Sequence, residues 1–196
     1  MAGNPKQTVP LRRDAILEAA AEVFLRYGFK KTSMDDLARA ARLSRQGLYL
    51  HFDTKETIFK AVIVRIVAQS RARHKAALDR DILDVPERLL GAFDAIHGSA
   101  VAEPMSEHLD ELLATAASLE GPGVKELEHD FVTGVVSILS KSGVAASWKR
   151  AGISAKALAE HLYATSCGFK HSAKTQAAYR ERMRTAIRIV TARHNA

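Results

Sequence analysis

The sequence predicts an all-α fold of about nine helices, and three observations carry the prediction. Apolar residues recur at helical rather than alternating spacing. Hydrophobic residues make up 47% of the chain but aromatic ones only 6%, so the cores are aliphatic and rich in alanine. Capping residues and Pro or Gly punctuation fall between the periodic stretches. A chain of 196 residues can bury one or two cores without disulfide staples.

Residues 1–10 read as a disordered arm ending at Pro10. A first helix is expected from about Leu11 to Tyr27, with Ile16, Ala19, Ala20, Val23, Phe24 and Tyr27 along one face. Gly28 stops it in a left-handed position. Ser33 caps a second, short helix, Asp36 suits its acidic first turn, and Met34, Leu37, Ala38 and Ala41 form its inner face. After a turn at Arg42–Leu43, Ser44 caps a third helix to about Phe52. Thr54 caps a long fourth, to about Leu78, with Ile58, Phe59, Val62, Ile63 and Ile66 inward. Pro86 suits the first turn of a fifth, lined by Leu89, Leu90, Phe93, Ile96 and His97. Pro104 opens a sixth through Leu119, and Gly121–Pro122–Gly123 ends that stretch. A seventh runs to about Ser140 with Leu127, Phe131, Val135 and Ile138 inside. Residues 142–153 read as a loop around Trp148. Ser154 caps an eighth helix to about His171, and a ninth spans about Thr175 to Ala192.

Charge is segregated along the chain. Residues 1–75 hold 15 Lys and Arg against 7 Asp and Glu, residues 76–130 hold 3 against 13, and residues 131–196 hold 11 against 2. The net charges are +8, −10 and +9, within the total of +7. A basic head attracts a phosphate backbone. The basic tail is either a second polyanion surface or a solvated face that complements the acidic middle. No apolar run reaches the ~18–20 residues of a membrane span, and the polar start has no signal-peptide core. The one cysteine, Cys167, excludes an intrachain disulfide. A cytoplasmic location and no membrane partner are expected.

The chemistry concentrates in residues 33–56. Two short helices joined by a tight turn, the second basic and exposed, describe a helix-turn-helix. Leu48 and Phe52 face inward with Leu43, leaving Arg45, Gln46, Tyr49 and Leu50 outward. Arg45 suits guanine or a phosphate, Gln46 suits adenine, and Gly47 lets backbone approach DNA closely. Gly47 needs a reason, because glycine inside a helix costs about 1 kcal/mol. Tyr49 could instead be packing, His51 a capping or packing group, and Lys30, Lys31 and Arg39 simply solvated.

The run from Asp36 to Phe52, followed by Thr54-Lys55-Glu56, resembles the DNA-binding signature of the TetR family. Its most specific part is Leu48-Tyr49-x-His51-Phe52-x-x-Lys55-Glu56, and Phe24, Gly28 and Thr32–Ser33 sit at matching positions. The likeness covers roughly residues 12–60. It implies a phosphate contact from Thr32 or Ser33, groove contacts from Ser44, Arg45, Gln46 and Tyr49, and phosphate contacts from His51 and Lys55. One position departs: a glycine is usual in the turn where this chain has Arg42. Arg42 either reshapes the turn or reaches a phosphate. The expected division is a DNA-binding head over 1–55 and a ligand-sensing and dimerising domain over 56–196.

The resemblance further implies a homodimer on a double-stranded DNA operator and a repressor released by an unidentified small-molecule inducer. Leu158, Leu162, Thr165 and Phe169, then Tyr179, Met183, Ile187 and Val190, have spacing that suits a four-helix dimer interface, and equally suits packing within one chain. Ala164 and Gly168 would permit close helix contact. Candidate pocket residues are Phe93, His97, Met105, His108, Phe131, Trp148 and Tyr163, each also readable as ordinary core or surface. No cofactor or metal is expected, and enzyme activity is not. Two rivals remain: a helical ligand binder without DNA function, and a metal-dependent enzyme using Glu126-x-x-His129, for which no second copy exists. Cys167 reads as a small buried residue before a redox sensor.

Overall fold

The computed structural model describes residues 5–98, 101, 108–119 and 123–192. Among these, every regular element is helical. The principal helices are α1 (Pro5–Lys31), α2 (Met34–Ala40), α3 (Arg45–Tyr49), α4 (Lys55–Leu78), α5 (Val85–Phe93), α6 (Leu109–Ser118), α7 (Val124–Lys141), α8 (Ala155–Ser172) and α9 (Gln176–Thr191). A π-helical turn, Asp94–Gly98, continues α5. Residues 142–153, expected as a loop, hold one α turn at Val144–Ser147 and a 3₁₀ turn at Lys149–Ala151. Gly143 and Gly152 flank them with φ of 81° and 72°.

Two compact units divide the chain, one of residues 1–67 and 105–124, the other of residues 68–104 and 125–196. The first break between the units falls after Val67, and α6 groups with the first three helices. α4 contributes its first half to one unit and its second half to the other.

Helix starts follow the capping signals. Ser44, Thr54, Asp84, Ser154 and Thr175 each accept a backbone N–H from three residues on. The expected arm is different: helix begins at Pro5, whose fixed φ suits a first helical position. The expected opening of α6 at Pro104 lies outside the described residues, as do Gly121 and Pro122.

The first unit closes on Ile16, Ala20, Phe24, Leu37, Leu48, Phe52, Ile58 and Phe59, all nearly inaccessible. Phe24, Phe29 and Phe59 form a ring cluster with centroids 4.8–5.9 Å apart. Tyr27, expected on this face, is 51% exposed. Gly28 (φ 77°) breaks the helical geometry just after it. A Cβ at Gly28 would also stand 2.7 Å from the Glu111 carboxylate.

The second unit buries Leu89, Leu90, Phe93, Phe131, Val135, Leu158, Leu162, Tyr179, Met183, Ile187 and Val190 in one cluster. The Trp148 indole N–H donates to the Val190 carbonyl at 2.8 Å, tying the 142–153 segment to the end of α9.

Candidate nucleic-acid interface

The helix-turn-helix is built by its caps. Ser33 accepts the Asp36 N–H at 3.2 Å and its own N–H donates to the Asp36 carboxylate at 3.0 Å, closing a capping box. Ser33 thereby holds the Asp36 carboxyl below its ordinary range, with Arg39 adding to the effect. α2 ends in a Schellman motif: the Leu43 N–H donates to the Ala38 carbonyl at 2.9 Å and the Arg42 N–H to the Arg39 carbonyl at 3.1 Å. Arg42 has φ 54° and is the one non-glycine residue with positive φ among those described. The turn therefore keeps the geometry that glycine usually serves, with arginine carrying the steric cost, and Arg42 itself is exposed.

α3 is only five residues long, not the eight expected. Its chain continues as a turn in which the His51 and Phe52 N–H groups both donate to the Leu48 carbonyl. Leu48 and Phe52 anchor it from below, 0% and 2% exposed. Arg45, Gln46, Tyr49 and Leu50 all face outward, and Leu43 is half-buried. The Arg45 guanidinium donates to Asp35 at 3.0 Å and lies 5.8 Å from the Tyr49 ring centroid, so α2 and an aromatic face orient it. A Cβ on Gly47 would stand 3.1 Å from the Ser44 hydroxyl. The glycine thus admits the α3 cap, a local reason that stands beside any close approach to DNA.

Two of the expected contacts take a different form. Thr32 is buried and its hydroxyl donates to the Gly28 carbonyl at 2.7 Å, so its side chain is not offered to a phosphate. Lys55 is half-buried; its ammonium donates to the Phe29 and Thr32 carbonyls at 3.0 and 2.9 Å and sits 4.3 Å over the Phe29 ring. It closes the C-terminus of α1, where orphan carbonyls need donors. His51 is half-buried, and its carbonyl accepts from Arg13 at 3.3 Å. Arg13 also covers the Phe52 ring at 4.2 Å, a positioning role that sequence reasoning missed. Ser33 and Ser44 remain exposed at helix N-termini. A cleft of about 730 Å³ lies beside the motif, lined by Glu22, Arg26, Tyr27, Lys31, Asp36 and Arg39 among others.

In the second unit, four of the expected pocket residues converge. Phe131 lies 4.9 Å from Phe93 and 5.9 Å from Tyr163, and Tyr163 lies 5.4 Å from His97. His97 Nδ1 meets Ser166 Oγ at 2.7 Å, Ser166 meets the Tyr179 hydroxyl at 2.6 Å, and that hydroxyl donates to the Phe93 carbonyl at 3.0 Å. Burial brings His97 down to about 4, with Lys170 and His171 contributing, so the ring is neutral at pH 7. Burial likewise pushes the Tyr163 and Tyr179 phenols up, and the Cys167 thiol, 3.8 Å from His97 Nε2, is raised. A raised thiol is a poor nucleophile. Trp148 is instead engaged with α9, His108 belongs to the first unit and faces Glu111 at 3.5 Å, and Met105 lies outside the described residues.

Six of the eight expected dimer residues are covered within one chain. Leu158, Leu162, Tyr179, Met183, Ile187 and Val190 are at most 5% exposed within a single chain. They pack α8 and α9 against each other and against α5, which consumes the apolar face that the spacing revealed. Thr165 and Phe169 are half-buried, whereas Ala164 and Gly168 are exposed, and a Cβ on Gly168 would meet nothing within 4 Å. Glu126 and His129 are exposed on α7, and no group of three potential metal ligands occurs among the described residues. No helix among them is long and apolar enough to cross a membrane.

Residues 16–62 match the family model described as bacterial regulatory proteins, tetR family. The chain is 36% identical over 94 residues to the HTH-type transcriptional repressor ComR of Escherichia coli, covering 48% of this chain and 43% of that protein. It is 37% identical over 84 residues to the HTH-type transcriptional activator FasR of Mycolicibacterium smegmatis, covering 43% and 38%. These alignments span less than half the length of either relative. Among solved structures, a transcriptional regulator from Rhodococcus superposes with a TM-score of 0.68 at 19% identity, covering 91% of this chain and 95% of that one. The TetR-family regulator PfmR of Thermus thermophilus gives 0.58 at 19%, covering 92% and 99%. At such identity these two establish the shared fold.

Proposed function

We propose that the chain, whose residues 16–62 match the tetR family model, is a TetR-family, homodimeric, DNA-binding transcriptional regulator, a repressor that a small-molecule ligand releases from its operator. The carrying observation is α3: a short helix fixed by the Ser44 cap and the buried Leu48, with Arg45, Gln46 and Tyr49 outward. That is the form needed to lay side chains along base edges in a major groove. In this reading the head is residues 1–55, and residues 56–196 sense the ligand and dimerise. Two heads then read half-sites ~34–36 Å apart. ComR is a repressor and FasR an activator, so repression is this proposal's choice of sign.

In this reading the DNA contacts are Ser33, Arg42, Ser44, Arg45, Gln46, Tyr49 and His51, with Lys55 supporting them from behind. Dimerisation uses the outer face of α8 around Ala164 and Gly168, because the inner face is already filled. Ligand binding acts only through different affinity for two head spacings, and α4, which contributes to both units, is the element that carries the change. Selection of duplexes by the purified protein tests the reading: it should return a near-palindrome, and Gln46→Ala and Tyr49→Ala should each relax preference at one half-site position by about 1–3 kcal/mol. Indifference to every duplex in dilute salt would favour a ligand binder without DNA function.

A further inference from the structure

Two carboxylates stand in the first turn of α2, and they are used differently. Asp36 turns back on its own helix and closes the Ser33 capping box. Asp35 reaches across the turn instead: one of its oxygens accepts from Arg45 Nη1 at 3.0 Å, ten residues on. Arg45 opens α3, and Tyr49 follows one turn later on the same face. The guanidinium lies 5.8 Å from the Tyr49 ring centroid, and Tyr49 first and Asp35 second push it above its ordinary value. Arg45 is therefore held from two sides, although its side chain is 59% exposed and that of Asp35 52%.

The pairing decides between the two partners open to an outward arginine. A phosphate at Arg45 would share the guanidinium with the Asp35 carboxylate, so two anions would crowd one cation and repel each other. A guanine edge brings no charge, and its O6 and N7 accept two hydrogen bonds from one arginine. Arginine has five N–H donors in a rigid plane. Asp35 takes one of them, at Nη1, so even with Tyr49 as a second partner enough remain for the two bonds that guanine needs. An exposed ion pair adds little to folding stability. What this one fixes is direction, because a long side chain set beforehand loses less freedom on binding.

We propose that Arg45 reads one guanine in each half-site and that Asp35 is its positioning residue, turning the guanidinium away from the phosphates and toward the base edge. The inference deepens the regulator reading above and rests on it.

Competition binding tests it, starting from the duplex that the purified full-length protein selects and changing each half-site base pair in turn. Arg45→Ala should lose about tenfold of the preference for guanine at one half-site position and leave the other positions unchanged. Asp35→Ala should lose about threefold at that same position. It should also tighten binding to unrelated duplexes, because a negative charge beside the phosphates is gone. Asp35→Glu should restore most of the preference. In the Arg45→Ala background, Asp35→Ala should change the preference no further, a dependence that a merely structural role would not produce. Urea unfolding checks each variant; should Asp35→Ala lower the midpoint, Asp35→Asn, which keeps the shape and removes the charge, gives the same comparison.

Equal weakening of every duplex by Arg45→Ala marks a phosphate contact and overturns the proposal. So does a guanine preference that removal of the Asp35 charge leaves intact, or losses from the two substitutions that simply add. A parent protein that binds no duplex in dilute salt overturns the regulator reading and this assignment together. A selected near-palindrome in which no guanine answers to Arg45 overturns this assignment alone.

Discussion

Lys55 shows how one side chain can be read for the wrong partner. A lysine opening a helix beside a DNA-reading motif invites a phosphate, yet its ammonium reaches the Phe29 and Thr32 carbonyls and covers the Phe29 ring. Nothing local in the sequence links position 55 to position 29, so the contact becomes legible only once α1 and α4 are placed together. Lys55→Ala should destabilise the protein by about 1–3 kcal/mol, measured by urea unfolding, because a charged donor to two carbonyls is lost. Arg42 behaves in the opposite way. The sequence marked it as a departure, and its φ of 54° confirms that the turn still needs a left-handed residue. Arg42→Gly should therefore raise stability by about 1 kcal/mol in the same assay.

At the scale of elements, the capping serines located α2, α3 and α8 to within a few residues, because an N-cap is a local device. α3 came out shorter than its pattern, since Leu48 and Phe52 are one turn apart whether or not the helix continues between them. Ser44→Ala should remove the cap of this five-residue helix and cost about 1 kcal/mol. It should weaken duplex binding at least as much as it weakens folding, as gel retardation and urea unfolding can compare. On α8 and α9 the periodicity marked a buried face and left its cover open. A 3.6-residue repeat marks one buried face, but cannot say whether its cover is the same chain or a copy. Here Leu162 and Met183 are wholly covered within one chain. The remaining exposed face is small, at Ala164 and Gly168. Gly168→Trp should shift sedimentation toward the monomer while leaving the melting temperature of the second unit's core within a few degrees.

The molecule as a whole carries an acid sensitivity set by its buried imidazoles. His97 is lowered to about 4 from 6.5, and His74 moves in the same direction. The folded value lies below the unfolded one, so between these limits the unfolded chain binds the extra proton and stability falls with pH. Above about 6.5 the contribution is complete; below about 4 it is gone. For His97 this amounts to ~3 kcal/mol at most. Melting temperature should drop on acidification from pH 6.5 to 4, and His97→Asn, which keeps a donor toward Ser166, should flatten that drop. If the melting temperature stays level across this range, the buried neutral state is refuted. The environment of His74 was not legible beforehand, because burial depends on which helices meet.

The indole N–H of Trp148 rests on the Val190 carbonyl, and no other tryptophan exists in the chain. Its fluorescence is therefore an optical gauge of whether the last helix is seated. Emission that reddens before far-ultraviolet ellipticity is lost would reveal that helix undocking ahead of global melting, without any added label.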